Sequence, residues 1–350
     1  MSDRYDPAAF KARIDTALAR FVAQENDQLL MVDPKLRPVA EQIVVATAHG
    51  KRLRAAFCYW GWRAAGQPDS DALIRAAAAM ELVHAAASVQ DDIIDDSPLR
   101  HGVPTAQIAL RTSLCGRPSA KKSARALAML VGDLLVASAG HLFLVSGLPA
   151  AYLSRARPLW MAMARELIAG ECLEILCTGA APDTGESLKV VRYKTAKYTV
   201  EQPLLIGGAL AGAHPRLSKA FSAYGLPLGE AFQLRDDLLG LFGDPVRTGK
   251  ASLDDLRARR PTALLAETWR VADRRQRKQL GALLDRPDPG PDELREMCDL
   301  MHRVGAPDRI ERMIVERVEQ ATGALAGLDV PQHAAGALSE LAHTATTRNH

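Results

Sequence analysis

Four aspartates fall within six residues, Asp91-Asp92-Ile93-Ile94-Asp95-Asp96, directly after the apolar run Met80 to Val89. If that run is helical, Asp91 and Asp95 share a face one turn apart, and so do Asp92 and Asp96. Carboxylates at this spacing repel. The Ser97-Pro98 that follows is a helix stop, so the aspartates lie in the last turn, where the helix dipole is negative and anions are disfavoured. A bound hard cation offsets both penalties, and a small set of oxygen ligands suits Mg2+ holding a phosphate better than a closed structural cage. A solvated acidic helix end would carry the same residues. The approach to the cluster, however, is nearly uncharged and rich in Ala, Leu and Val, which indicates a buried helix delivering its carboxylates to an interior mouth. A second pair, Asp236-Asp237, also follows an apolar helical stretch and stands beside Gln233 and Arg235.

Cations are placed where they could meet the same chemistry. Gly50-Lys51-Arg52-Leu53-Arg54 leads into Ala55-Ala56-Phe57. Basic side chains at a helix start oppose the dipole, whereas an anion there would be held by the side chains and by free N–H groups together; a solvated basic turn is the alternative. His84 precedes Asp91 by two turns on a similar face, either as a packed core histidine or as part of an anion site. Arg100 and His101 sit in a turn-rich loop after Pro98. Lys194-Thr195 lies within a helix that also carries Arg192 and Lys197. A Gly/Pro/charge-rich segment from Gly243 to Thr262 holds Lys250, Asp254-Asp255 and Arg259-Arg260, and loops of this kind tend to carry function.

The elements that must position these groups read as helices. Phe10, Ile14, Leu18, Phe21 and Val22 recur at three- and four-residue spacing between Pro7 and about Met31, and Asp33-Pro34 ends that helix. Further helices are expected over Val39 to Ala48, Asp71 to Asp96, Ala124 to Gly147, Arg155 to Cys177, a segment capped by Thr184 or Ser187, Pro215 to Leu241, and Ala263 to Leu328 with a break at Asp285 to Pro291. No strand-like alternation is visible, and the tail after Val330 is expected to be peripheral. Hydrophobic residues make up 48% of the 350 and aromatics 5%, a bias towards helix and away from a β-sandwich. Lys and Arg number 44 against 41 for Asp and Glu, so global charge excludes a nucleic-acid-coating protein. The five cysteines show no CxxC spacing, which fits a reducing compartment without zinc. No leader-like start and no uninterrupted 18-residue apolar run argue against secretion or a membrane span. A cytoplasmic protein is expected.

The ordered set of motifs resembles that of the trans-isoprenyl diphosphate synthases, the polyprenyl synthetase family, over roughly residues 45 to 265. Gly50-Lys-Arg-Leu-Arg54 resembles the family's GKRxR, which implies that Lys51 and Arg54, with His84, grip isopentenyl diphosphate. Asp91-Asp-Ile-Ile-Asp95 resembles DDxxD, which implies Mg2+ coordination by Asp91 and Asp95, with Asp92 in the same motif, on an allylic diphosphate assisted by Arg100. Lys194 and Thr195 match the KT pair, Gln233, Asp236 and Asp237 the second aspartate-rich region, and Lys250 the lysine of TGK. The resemblance further implies a single all-α domain, an isoprenoid synthase-type helical bundle around a central cavity, and a homodimer.

Three departures stand out. His101 occupies the place of a second arginine, so affinity for isopentenyl diphosphate should weaken as pH rises and the imidazole loses its charge. Gly240 stands where the second motif ends in a carboxylate, with Asp244 nearby as a candidate substitute. Arg260 replaces a common lysine, keeping charge but not geometry. Ala86 and Ala87, about one turn or ~6 Å before Asp91, leave open a depth that short-chain members close with an aromatic ring. A C20 geranylgeranyl or longer product is therefore expected from head-to-tail (1'-4) condensation. The rival readings are an ionising terpene cyclase, for which no second metal motif is found, and a non-catalytic partner subunit of a prenyl synthase, which His101 and Gly240 would favour.

Overall fold

The computed structural model describes residues 5–243, 253–326 and 330–347. The described residues are helical apart from one hairpin and connecting loops, and the chain divides into two compact units. The first comprises the chain through Arg157 with Ile206–Ala213 and Pro331–Gly336; the second comprises Pro158–Leu205, His214–Val330 and the residues from Ala337 on.

In the first unit, α1 (Pro7–Val32) starts with Pro7 at its first position, and Asp6 accepts from the amides of Ala8 and Ala9 at 2.9 and 3.0 Å. These satisfy donors that a helix start otherwise leaves orphaned. Phe10, Ile14, Leu18, Phe21 and Val22 form its buried stripe, as their spacing predicts. α2 (Arg37–Ala48) and α3 (Leu53–Ala64) follow, the latter burying Phe57, Tyr59, Trp60 and Trp62. α4 (Asp71–Ile94) carries the first acidic cluster at its end. Its buried run Ala76 to Ala79 has side chains small enough for neighbouring helices to approach closely. A two-residue-strand hairpin, β1 (Leu99–Arg100) and β2 (Val103–Pro104), pairs Leu99 with Pro104 and Arg100 with Val103. It corrects the expectation of a strandless loop: strands this short show no alternation to read. α5 (Ala106–Ser113) and α6 (Ala120–Leu144) complete the layer packed on α4.

α4 and α6 are each long and apolar enough to cross a membrane by length and composition alone. Two-thirds of the apolar window of α4 is buried within the fold, against 39% for α6.

α7 (Ala150–Cys177) contributes to both units and has Pro158 in its interior. In the second unit, α8 (Thr184–Val190) is capped by neither Thr184 nor Ser187. Asp183 takes the position and accepts from the Glu186 amide at 2.8 Å, while Thr184 and Ser187 spend their hydroxyls on Glu267 and on the Asp183 carbonyl. The helix then widens into an 11-residue π-helical stretch, Val191–Glu201, before continuing as α9 (Gln202–Ala211). Runs of this kind are rare and concentrate at functional sites. Glycines seat it: a Cβ on Gly170 of α7 would lie 2.2 Å from the Lys194 amide nitrogen, and one on Gly229 of α10 (Pro215–Phe242) 2.5 Å from the Ala196 Cα.

Beyond α10 come α11 (Asp254–Arg257), α12 (Ala263–Val271), α13 (Arg274–Leu284), α14 (Pro291–Arg303) and α15 (Ala306–Ala324). They share a core through Leu256, Leu264, Leu280, Met297 and Ile310. The segment after Val330 is not peripheral. It forms α16 (Gln332–Thr346), which buries Leu338, Leu341, Ala342 and Ala345, and its Leu338 carbonyl accepts from the Tyr224 hydroxyl at 2.7 Å. Its Ala-rich composition hid a helix face that packs without large side chains.

Candidate active site

At the end of α4 the four aspartates separate by role. Asp91 and Asp95, one turn apart and both half-buried, share a face, whereas Asp92 is 5% exposed. Arg100, projected from β1, spans two of them: Nη2 is 2.8 Å from Asp91 Oδ2 and Nε 2.8 Å from Asp92 Oδ1. Burial pushes the Asp92 carboxyl up to about 6 against the pull of Arg100, with Asp91 and Asp95 adding to the rise. The Asp92 carbonyl also accepts from Gln107 at 3.1 Å. Asp92 is therefore the buried anchor of the hairpin, and Asp91 and Asp95 are the more accessible carboxylates. Asp96 turns away to Arg125 at 3.1 Å.

The hairpin turn consists of His101 and Gly102, both left-handed, with φ of 52° and 78°. Two positive φ angles are what a tight hairpin turn demands. His101, Arg100, His84 and Asp92 line one cavity of about 60 Å³ together with His49 and Arg52. His84 is held well below the ordinary imidazole value, first by burial and then by Arg54, Arg100, His101 and Arg52, so it is neutral near pH 7. Lys51 is exposed on the preceding loop and Arg54 is buried at the start of α3; neither lines that cavity. At the α3 N-terminus, Glu81 accepts from the Ala55 amide at 2.9 Å. Arg52 is likewise committed, to Asp15 and to the carbonyls of Thr47 and His49.

In the second unit, a hydrogen-bond chain joins three of the expected residues. The Thr195 hydroxyl donates to Gln233 Oε1 at 2.7 Å, and Gln233 Nε2 donates to Asp237 Oδ1 at 2.7 Å. Burial pushes Asp237 up to about 7. Gln233 opposes the rise; Asp255, Asp236 and Glu174 reinforce it. Lys194 lies between Glu174 and Glu171, 3.0 Å from the latter. Arg235 serves the structure, paired with Glu311 and the Thr346 carbonyl. Arg260 is 3.0 Å from Asp255. A Cβ on Gly240 would lie 3.6 Å from Asp255 Oδ2, so the Asp255 carboxylate lies beside position 240. Asp244 and Lys250 lie outside the described residues.

Sequence reading missed His49, Glu171, Glu174 and the placement of Asp255. An uninterrupted charge-rich loop does not say which of its carboxylates folds back, and His49 looked like no more than a helix end. The Asp255-to-Gly240 distance could not be read from spacing.

The donor sets are hard oxygens crowded against one another, the chemistry that Mg2+ fits. Among the described residues no three ligand-type groups form a closed cage. A Mg2+ ion held by one or two carboxylates and by substrate phosphates needs none.

A helical protein with such carboxylate sets and an arginine- and histidine-lined cavity has the parts of an enzyme for phosphate-bearing substrates. The chain belongs to the polyprenyl synthetase family, whose sequence profile matches residues 34–301. It is 31% identical over 329 residues to the (2E,6E)-farnesyl diphosphate synthase of Mycobacterium tuberculosis, covering 89% of this chain and 86% of the relative. It is 30% identical over 290 residues to the geranylfarnesyl diphosphate synthase of Aeropyrum pernix, covering 81% and 86%. Its fold matches the geranylgeranyl pyrophosphate synthase of Corynebacterium glutamicum, crystallised with isoprenyl diphosphate and magnesium. That match has a TM-score of 0.92 at 29% identity and covers 98% of this chain and 99% of the other. The chain is thus a prenyltransferase that elongates trans-prenyl diphosphates, in a metal-dependent family using isopentenyl and allylic diphosphates.

Proposed function

We propose that this chain condenses isopentenyl diphosphate with an allylic diphosphate, in the presence of Mg2+, to a C20 or longer trans-polyprenyl diphosphate. The observation that carries this reading is Arg100. It grips Asp91 and Asp92 and at the same time lines the cavity of His84 and His101, so a carboxylate cation site and an anion site adjoin. Joining two diphosphates requires that adjacency.

Asp91 and Asp95 hold metal at the first acidic set; Asp236 and Asp237 do so at the second, with Asp255 in place of the carboxylate absent at position 240. Bound Mg2+ supplies charge neutralisation of the allylic diphosphate as its bond to carbon breaks. Lys194 and Lys250 add positive charge for the same leaving group, and Arg260 holds Asp255. Thr195 and Gln233 orient Asp237 through their hydrogen-bond chain. Arg100 assists the allylic diphosphate, while Lys51, Arg54, His84 and His101 hold isopentenyl diphosphate, whose double bond attacks the allylic carbon. The proton lost afterwards passes to the departing diphosphate.

The relatives' names span farnesyl to geranylfarnesyl products and leave chain length open. The C20-or-longer reading rests on Ala86, buried, and Ala87, half-buried, one turn before Asp91. A homodimer is supported by the exposed apolar positions Met129, Leu130, Val136 and Leu144 of α6, an uncommon use of surface for a monomer.

Incubating the purified chain with Mg2+, geranyl or farnesyl diphosphate and labelled isopentenyl diphosphate, then sizing the products, tests the proposal. Labelled C20 or longer products are expected. A chain inactive alone but active with a second synthase would establish the partner-subunit reading instead.

A further inference from the structure

We propose that His49 is a binding residue for the diphosphate of isopentenyl diphosphate, acting as a pair with His101 where a single arginine would otherwise serve. This rests on the reading above that His84 and His101 receive that substrate.

The position of His49 is built. α2 ends at Ala48, and His49 follows in extended conformation as its C-cap. Arg52, only 4% exposed and itself left-handed at φ 58°, donates to the His49 carbonyl at 2.6 Å and to the Thr47 carbonyl at 2.7 Å. Asp15 of α1 holds the same guanidinium at 2.6 Å. A buried arginine spent on backbone carbonyls fixes the loop and leaves the His49 side chain as its contribution to the cavity. From the other side, the hairpin turn presents His101, and the hairpin is itself anchored by Arg100 on Asp91 and Asp92.

The two imidazole rings face each other with centroids 5.7 Å apart and planes inclined by 47°. That spacing suits one phosphate group accepting from both, since each N–H···O contact spans about 2.7–3.2 Å.

The charges around the pair favour an anion. Arg100 lines the cavity from β1 and Arg52, held by Asp15, from the same loop as His49. The carboxylates facing it, Glu81 and Asp92 of α4, are taken by the Ala55 amide and by Arg100.

The test is the Michaelis constant for each substrate at pH 6.5, in wild type, His49→Ala, His49→Gln, His101→Arg and the double variant His49→Ala/His101→Arg. At pH 6.5, His49→Ala should raise the KM for isopentenyl diphosphate about tenfold, the scale of one charge-assisted hydrogen bond. The KM for the allylic diphosphate should stay within about twofold, and kcat should change far less than KM. His49→Gln, which keeps an N–H donor but not the ring, should raise this KM less than His49→Ala does, and His101→Arg should rescue His49→Ala. A KM for isopentenyl diphosphate within twofold of wild type at pH 6.5, or equal changes for both substrates, overturns the proposal. If His49→Ala does not fold, an unchanged KM for isopentenyl diphosphate in His49→Gln overturns it equally. Absence of any turnover of isopentenyl diphosphate in the wild type would instead defeat the functional reading on which it rests.

Discussion

Asp237 offers the most quantitative test, through Asp237→Asn, with stability measured as a function of pH in the presence of EDTA. In the metal-free fold its carboxyl rises from an ordinary 3.8 to about 7, chiefly by burial, with Asp255, Asp236 and Glu174 adding repulsion. A raised carboxylate pKa means the folded state binds more protons than the unfolded state across that window, so stability falls as pH climbs through it. Below about pH 4 the penalty is absent; above about pH 7 it is fully present. At about 1.4 kcal/mol per pH unit, it grows by about 3 kcal/mol between pH 5 and pH 8. Asparagine keeps an oxygen for the 2.7 Å bond from Gln233 and removes the charge. The Tm advantage of Asp237→Asn over wild type should therefore widen by roughly 6–12 °C from pH 5 to pH 8, taking about 2–4 °C per kcal/mol. The variant should also lose the stabilisation that Mg2+ with inorganic diphosphate gives the wild type. A Tm difference that is the same at both pH values, or a variant less stable at pH 8, refutes the reasoning.

Other variants probe the remaining parts. Arg100→Ala leaves the buried Asp92 without its ion pair and should cost about 3 kcal/mol or more, with the loss in thermal melts larger at pH 8 than at pH 5. Gly170→Ala drives a Cβ into the Lys194 backbone; overpacking of about 1–3 kcal/mol and at least a tenfold fall in kcat (roughly 1.4 kcal/mol of barrier) should appear together in melts and steady-state rates. Asp255→Asn should weaken binding of Mn2+ in the presence of diphosphate, read by electron paramagnetic resonance, and Gly240→Asp in that background should restore it. Ala87→Phe should shorten the product by at least one isoprene unit, resolved by chromatography of the dephosphorylated alcohols.

The helices were legible because their apolar stripes and caps are local. Phe10 to Val22 and the Asp33-Pro34 stop could be read at sight, and so could the aspartates at the end of α4. What stayed hidden depends on the third dimension. The π-helical stretch around Lys194 exists because Gly170 and Gly229 let two helices close on it, and no periodicity announces that. Asp92 and Asp91 read alike in the sequence, and only burial separates them. At the α3 N-terminus, Glu81, 26 residues beyond Ala55, accepts from its amide, a contact no local spacing announces. α16 was taken for a tail because alanine faces carry little hydrophobic signal.

Single-turnover elongation in Asp91→Asn, Asp236→Asn and the double variant measures most directly the proposal that each acidic set serves the elongation reaction. Each single change should slow the reaction by about 10³-fold or more, roughly 4 kcal/mol of barrier, and the double variant should be scarcely slower than the worse single, since groups acting as a unit are not additive. Losses that multiply in the double variant, or an Asp236→Asn enzyme as fast as wild type, would contradict it.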